Sequence, residues 1–353
     1  MPAQPVSRAT LSLDSNLPKD TLEDIRNNLS AICFAGGFLW MGGDEGTSIE
    51  RFTAEPGGGF GQHRRFDLAP LLGLTGNTEI DLEGIDFDGG YLWVVGSHSL
   101  KRTKPDKDEP NDEVNRGRLA TVTAEANRHT LARIALNAAG EPVAREGALV
   151  TAKLTGIAGA DQLFAAIAID PLLGRFCDIP SKDNGIDIEG LAVRGDRVFA
   201  GMRGPVLRGW AVILEIAVEV SASGSLSMKG GLRKHLVQLG GLGVRDLAID
   251  GKDMYVLAGP TMDLDGPVRL CRWAKALDAA GEAMVWRKQL DRTMELPFGT
   301  GADEGRDHAE GLAMLAQAAG PPRAMICYDS PADGRLVKDH PERVLLDVFE
   351  LPG

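Results

Sequence analysis

Asp187-Ile188-Glu189-Gly190-Leu191-Ala192 is one of three near-copies of a single phrase; the others are Asp81-Leu82-Glu83-Gly84-Ile85-Asp86 and His308-Ala309-Glu310-Gly311-Leu312-Ala313. Degenerate copies stand at Ser30-Ala31-Ile32 and Arg245-Asp246-Leu247. Each opens an apolar run, passes a short turn, and leads into a second run that ends in small or polar residues. Recurrence at roughly 40–60 residues marks one supersecondary unit used several times, as in solenoids and propellers.

The unit reads as antiparallel strands. Gly89-Gly90 separates residues 84–88 from 91–95, and Gly36-Gly37 separates 32–34 from 38–41. Gly-Gly or Asp-Gly between apolar runs is a strong hairpin signal. Third and fourth strands follow at 48–53 and 64–68, at 211–220 and 234–239, and at 268–273 and 283–288. Four antiparallel strands, repeated, make a propeller blade. Runs such as Trp210-Ala211-Val212-Ile213-Leu214 fit strands buried on both faces.

After Ile326 only one good strand remains, 344–349, whereas residues 7–13 alternate polar and apolar near the other end of the chain. Closing the ring with strands from both termini removes exposed sheet edges. The expected architecture is therefore an all-β, five-bladed propeller forming one domain over residues 1–353. The interval between the second and third copies is about twice the usual spacing. Within it, 101–118 reads as a charged loop, 130–136 as the third strand of the second blade, and 161–167 as a helix ending before Pro171. Residues 100–180 thus read as a partly helical insertion, with a diverged sixth blade as the alternative.

Composition excludes several classes. Among 353 residues, 43% are hydrophobic and 25% charged, which is ordinary for a soluble globular protein. The net charge of −12 repels phosphate backbones and argues against nucleic acid as partner. The densest basic run, Lys101-Arg102-Thr103-Lys104, is diluted by Asp106, Asp108 and Glu109. Cys33, Cys177, Cys271 and Cys327 form no C-x-x-C pair, so buried free thiols in a reducing compartment are expected. No apolar stretch reaches the roughly 20 residues a membrane span needs, and no secretory signal stands at the start. A cytoplasmic location follows as the expectation. Gly57-Gly58-Gly59-Phe60-Gly61 lacks the Lys-Ser/Thr ending of a P-loop, and no G-x-S-x-G elbow occurs.

In a propeller the first strand of each blade lines the central channel, so equivalent positions converge on one ring. Aligning the copies places Ser30, Glu83, Glu189, Arg245 and Glu310 in one ring, with Asn28, Asp81, Asp187, Gly243 and His308 two residues earlier. Three readings stay open. Glu83, Glu189 and Glu310 could hold a divalent cation, most simply Ca2+, which takes such oxygen ligands. The carboxylates could instead serve the blades, pairing with Arg245. Or Glu189 or His308 could act as a general base. The ends of the second strands add Asp44, Glu45, Ser97, His98, Arg203 and Asp329; Arg203, with Arg208 and Trp210, would suit an anionic group. Asp246 lies beside the ring. Trp40 and Trp93, at matching positions, are expected in the core.

Three stretches carry a resemblance: Gly96-Ser97-His98-Ser99-Leu100-Lys101-Arg102, residues 179–192 with Ser181-Lys182-Asp183-Asn184-Gly185, and Arg203-Gly204-Pro205-Val206-Leu207-Arg208-Gly209-Trp210. On these the chain resembles a bacterial family described as domain of unknown function 3616, over most of its length. The resemblance implies a propeller and no activity. Through the Glu-Gly-Ile/Leu strand the chain is also loosely similar to phytase-like and lactonase-type calcium propellers, which implies channel carboxylates that bind Ca2+; Arg245 and Ser30 depart from that pattern. The functional expectation is an acidic, polar channel mouth that binds a small molecule or cation. A hydrolase of an ester, lactone or phosphate ester, or a protein-interaction scaffold, are the alternatives.

Overall fold

Gly36-Gly37 and Gly89-Gly90 both hold left-handed φ values, 59° and 85° in the first pair and 61° and 85° in the second. Two successive positive φ values are what a type I′ two-residue hairpin turn demands and what side-chain-bearing residues resist. These turns join the inner two strands of the first two blades. In the computed structural model, which describes residues 2–76, 78–157, 160–221, 224–298, 306–316 and 320–351, five antiparallel strand pairs, two of them turned in this way, grow into five antiparallel blades.

Blade I comprises Leu29–Ala35, Phe38–Gly43, Ser48–Ala54 and Phe60–Asp67. Blade II comprises Leu82–Asp88, Tyr91–Gly96 and Leu131–Leu136, edged by the short strands Pro142–Val143 and Ala152–Lys153. Blade III comprises Asp187–Arg194, Arg197–Leu207, Trp210–Val220 and Arg233–Val237. Blade IV comprises Gly243–Asp250, Asp253–Gly259, Arg269–Trp273 and Leu290–Glu295. Blade V comprises His308–Leu315, Arg323–Asp329, His340–Glu350 and, from the other end of the chain, Ser7–Ser12. Ser7 pairs with Val348 and Ser12 with Arg343, so both ends of the chain close one blade. Each inner strand packs against the inner strands on either side, I–II–III–IV–V–I.

Apolar side chains on both faces of each sheet fill the spaces between blades. Five hydrophobic clusters result, one per interface. Trp40 and Trp93 are both buried there, at 0% and 3% exposure. Burying the full side chain of a large apolar residue contributes about 1.5–3 kcal/mol, so the interfaces rather than the turns hold the ring together. At the closing blade, buried Asp347 accepts from Arg8 Nε at 3.0 Å, Tyr328 Oη at 2.8 Å and Arg335 at 2.9 Å.

The long interval divides differently from a block insertion at 100–180. Its middle supplies the third and outer strands of blade II, and among the described residues no sixth blade stands there. The charged stretch after Leu100 is a loop only in part. Leu100–Arg102 and Val122–Ala124 pair with each other and enclose the helix Asp112–Ala120, whose N-cap Asn111 accepts from Glu113 N. A second helix, Gln162–Ala168, starts at the N-cap Asp161. Blade IV also corrects the expected fourth strand at 283–288. There, Met284–Val285 adds in parallel to the edge of blade III, and a capped turn at Trp286–Gln289 ends it. Val285 is buried in the cluster between blades III and IV, which explains the shift.

Candidate functional site

The ring position of every inner strand is a β-bulge. Pairing with the second strand runs Leu29–Gly43 then Ala31–Gly42, Leu82–Gly96 then Gly84–Val95, and Ile188–Met202 then Gly190–Gly201. It continues Val244–Ala258 then Asp246–Leu257, and Ala309–Tyr328 then Gly311–Cys327. Ser30, Glu83, Glu189, Arg245 and Glu310 are thereby left out of the ladder. A bulged residue departs from the alternation of the strand and re-aims its side chain. Arg203 is left out in the same way on the second strand of blade III, between Met202 and Gly204.

The glycine of the phrase has a separate task. A Cβ on Gly84 would stand 2.6 Å from Leu191 Cβ, one on Gly190 2.9 Å from Asp246 Cα, and one on Gly311 2.4 Å from Cys327 Sγ and 2.9 Å from Ile32 Cγ2. Leu191, Asp246 and Ile32 belong to the next blade in each case. Glycine therefore lets neighbouring inner strands approach, while the preceding residue faces the channel.

At the mouth the ring residues form a buried ion-pair network. Arg203 donates to Asp187 through Nε at 2.8 Å and Nη2 at 2.6 Å, and to Glu189 through Nη1 at 2.7 Å. Arg245 Nη1 lies 2.9 and 2.7 Å from the two oxygens of Glu189, and its Nη2 lies 2.8 Å from Glu310. Asp81 is gripped by Arg128, which also holds Glu79 and Glu125. Two lobes open above this network. The larger, about 450 Å3, is lined by eleven acidic and six basic residues, among them Asp44, Asp81, Glu83, Asp187, Glu189, Arg203, Glu310 and Asp329. The smaller, about 260 Å3, shares Arg203, Glu310 and Asp329 and adds Arg245 and His308.

Not every acid finds a base. Glu83 forms no hydrogen bond or ion pair with the described residues; burial, then Glu189, Asp81, Glu310 and Asp44, drive its carboxyl well above the usual range. Asp44 Oδ1 is buried with no partner among the described residues. Burial, then Asp329, Asp81 and Glu45, push Asp44 up to about 7. Burial also takes Glu310 to about 7 against the pull of Arg245, and Asp329 to about 7 with Glu310 adding to the rise. Asp187 sits at about 6, burial outweighing Arg203.

Two candidates lie elsewhere. His98 is buried beside Asp161, with Nε2 2.9 Å from that carboxylate and Nδ1 2.8 Å from the Gly96 carbonyl. It ties the helix Gln162–Ala168 to blade II. Asp246 is a strand staple: its carboxylate accepts Leu247 N at 2.7 Å and Leu312 N at 2.7 Å, and also Leu191 N. His308 lines the smaller lobe and faces Asp265 at 3.5 Å. Of the trio Glu83, Glu189 and Glu310, two are occupied by guanidinium groups. Among the described residues no three His, Cys, Asp or Glu side chains form a group that could hold a metal. Sequence reading missed Arg128, Glu79, Lys182 and Asp263, which also line the larger lobe. Arg128 lies in a short 3-10 turn outside every repeat and carries no signal of its role.

The raised carboxyls predict a pH trend. Between about pH 4 and 7 the folded chain binds more protons at Asp44, Glu310 and Asp329 than the unfolded chain, so their contribution to stability falls as pH rises. The urea midpoint is expected to be higher at pH 5 than at pH 8, with a smaller difference in Glu310→Gln. A midpoint that rises from pH 5 to 8 contradicts this account.

A family model described as "Protein of unknown function (DUF3616)" matches residues 28–347, which spans all five inner strands. The chain belongs to this DUF3616 family. No curated protein matches it. Similar solved structures are distant. A GH43 β-1,3-galactosidase with galactodeoxynojirimycin is 11% identical over 92% of this chain and 90% of that one, with a TM-score of 0.43. The GH43 endo-arabinanase from Bacillus licheniformis is 11% identical over 92% and 94%, at 0.40. The PQQ-bound aldose sugar dehydrogenase from Streptomyces coelicolor is 14% identical over 99% and 100%, at 0.36. Among the described residues of this DUF3616 protein, no helix is long and apolar enough to cross a membrane.

Proposed function

We propose that the channel mouth binds a small organic cation. The observation that carries this reading is the division of labour among the acids. The guanidinium groups of Arg203 and Arg245 are already engaged by Asp187, Glu189 and Glu310, while Glu83 and the buried Asp44 Oδ1 face the cavity with no cation of their own. An ammonium group would relieve their mutual repulsion and supply the missing donor. None of the four cysteines stands in a disulfide and three are buried, which supports a reducing, cytoplasmic setting.

The test is a melting titration with putrescine, spermidine and glucosamine, alongside Ca2+ and EDTA. A ligand that binds the native state raises the midpoint in proportion to ln(1 + [L]/Kd). An amine is expected to do so, and Glu83→Gln to weaken it about tenfold or more, the loss of one charge-assisted contact. Binding is expected to tighten from pH 6 to 8 with release of protons, since a cation favours the ionised forms of Asp44 and Asp329. No shift with any amine, or a shift indifferent to Glu83→Gln, sinks the reading; a shift with Ca2+ alone transfers the site to a metal.

A second reading rests on a different observation. Glu310, near 7, stands beside the arginine-held Glu189, and Asp329, also near 7, stands beside Glu310; groups that titrate near neutrality suit general acid–base chemistry. It predicts turnover in a panel of esters, lactones and phosphate esters, abolished by Glu310→Gln. Turnover that survives that change clears Glu310.

A further inference from the structure

The cavity carries charge of both signs, and each sign includes groups that make no ion pair with the described residues. Asp44, Glu45 and Glu83, from blades I and II, line it without an ion pair to the described residues, as do Asp329 at the end of the second strand of blade V and Asp263 after the second strand of blade IV. Its unpaired bases come from elsewhere. Lys104 and Lys182 both line the larger lobe and make no ion pair with the described residues. Lys104 belongs to the excursion that contains the Leu100–Arg102 strand and the helix Asp112–Ala120. Lys182 sits in the 3-10 turn Ser181–Asp183 ahead of blade III.

One ion pair joins these two segments. Arg102 donates to Asp183 Oδ2 through Nε at 2.8 Å and Nη2 at 2.6 Å. Lys104 is two residues from one partner and Lys182 is next to the other, so both lysines belong to segments that this pair joins at the larger lobe. The excursion is held in place near them: Arg118 Nε donates to the Lys104 carbonyl at 2.8 Å, and Lys101 pairs with Glu79 at 2.9 Å. Lys182 also lines the smaller lobe.

We infer that the ligand of this cavity is zwitterionic: an ammonium group held by Glu83 and Asp44, and a carboxylate or phosphate held by Lys104 and Lys182. The inference rests on the cation reading above and narrows it. A plain amine satisfies the acids only. A plain anion meets the two lysines and the excess of acids. A molecule with both charges, set apart by a polar or aliphatic spacer, meets both sets of groups.

Calorimetric titration of the full chain at low salt, with three matched series, tests it: ω-amino acids of four to eight carbons, alkylamines of the same lengths, and alkylcarboxylates of the same lengths. The series varies the distance between the charges. At the best length the ω-amino acid is expected to bind about tenfold tighter than the matching amine, the gain of one further charge-assisted contact. In the Lys104→Ala/Lys182→Ala double variant that difference is expected to collapse, and the carboxylates to bind too weakly to measure. Both lysines are exposed, so the variant folds as the parent does. Amines that bind as tightly as ω-amino acids at every length overturn the inference and leave the cation reading standing. A gain that persists in the double variant, or carboxylates that bind more tightly than ω-amino acids, overturns it as well. Failure of both nitrogen-bearing series to bind removes the cation reading itself.

Discussion

Replacing Arg203 by methionine is expected to cost about 3–5 kcal/mol at pH 8, the usual consequence of removing one partner from a buried ion pair. Arg203 is 6% exposed and Asp187 2%, so neither can turn to water. The change strands Asp187 wholly and Glu189 in part, since Arg245 continues to hold the latter. Asp187 already stands at about 6 with its partner present; without it the carboxyl moves higher and takes up a proton under mild acid. The loss is therefore smaller at pH 5 than at pH 8, and Asp187→Asn added to Arg203→Met restores a large part of it. Urea melts at the two pH values read this directly. An equal loss at both would assign the role of Arg203 to packing of its stem and not to charge.

Gly190→Ala should rank close behind. Its new methyl would stand 2.9 Å from Asp246 Cα, 3.0 Å from Asp246 C and 3.0 Å from Leu247 N. These are backbone atoms of the inner strand of blade IV, which cannot swing aside like a side-chain tip. Overpacking in a well-filled interior costs about 1–3 kcal/mol, and a rigid obstacle puts this case at or above the upper end. The displacement also pulls on Asp246, whose carboxylate joins blade IV to Leu191 and Leu312. Gly231→Ala is the matched control: nothing lies within 4 Å of a Cβ there, and it should stay within about 0.5 kcal/mol of the parent. Similar melts for the two variants would remove the close approach of inner strands as the reason for glycine in the repeated phrase.

The fold was legible because its signals are local. Gly36-Gly37, Gly89-Gly90 and the apolar runs beside them lie within a dozen residues of one another, and the repetition of the phrase multiplies a weak signal. The column of ring residues was legible for the same reason. What the column does chemically was not. A bulge leaves no mark in composition, so the common cause that turns Ser30, Glu83, Glu189, Arg245 and Glu310 inward appears only in the pairing registers. The pairing of Glu189 with two arginines depends on Arg203, which reaches it from a second bulge, and on Arg245 from the next blade. His98 was drawn to the channel by its place after a second strand, yet its partner Asp161 lies far along the chain at a helix N-cap. The expected strand at 283–288 failed because an apolar pair can complete either of two neighbouring sheets, and only the buried place of Val285 decides between them.

Because the five ring residues stand outside the ladders, strand pairing does not fix their side chains, whereas the glycines that follow Glu83, Glu189 and Glu310 are fixed by the approach of the next blade. Assembly and chemistry are thus written on adjacent but separate letters of the same phrase. Serine, glutamate and arginine already share one position within this single chain, which demonstrates the freedom in miniature. On one hub, the same bulged place thus presents an alcohol, a carboxylate or a guanidinium.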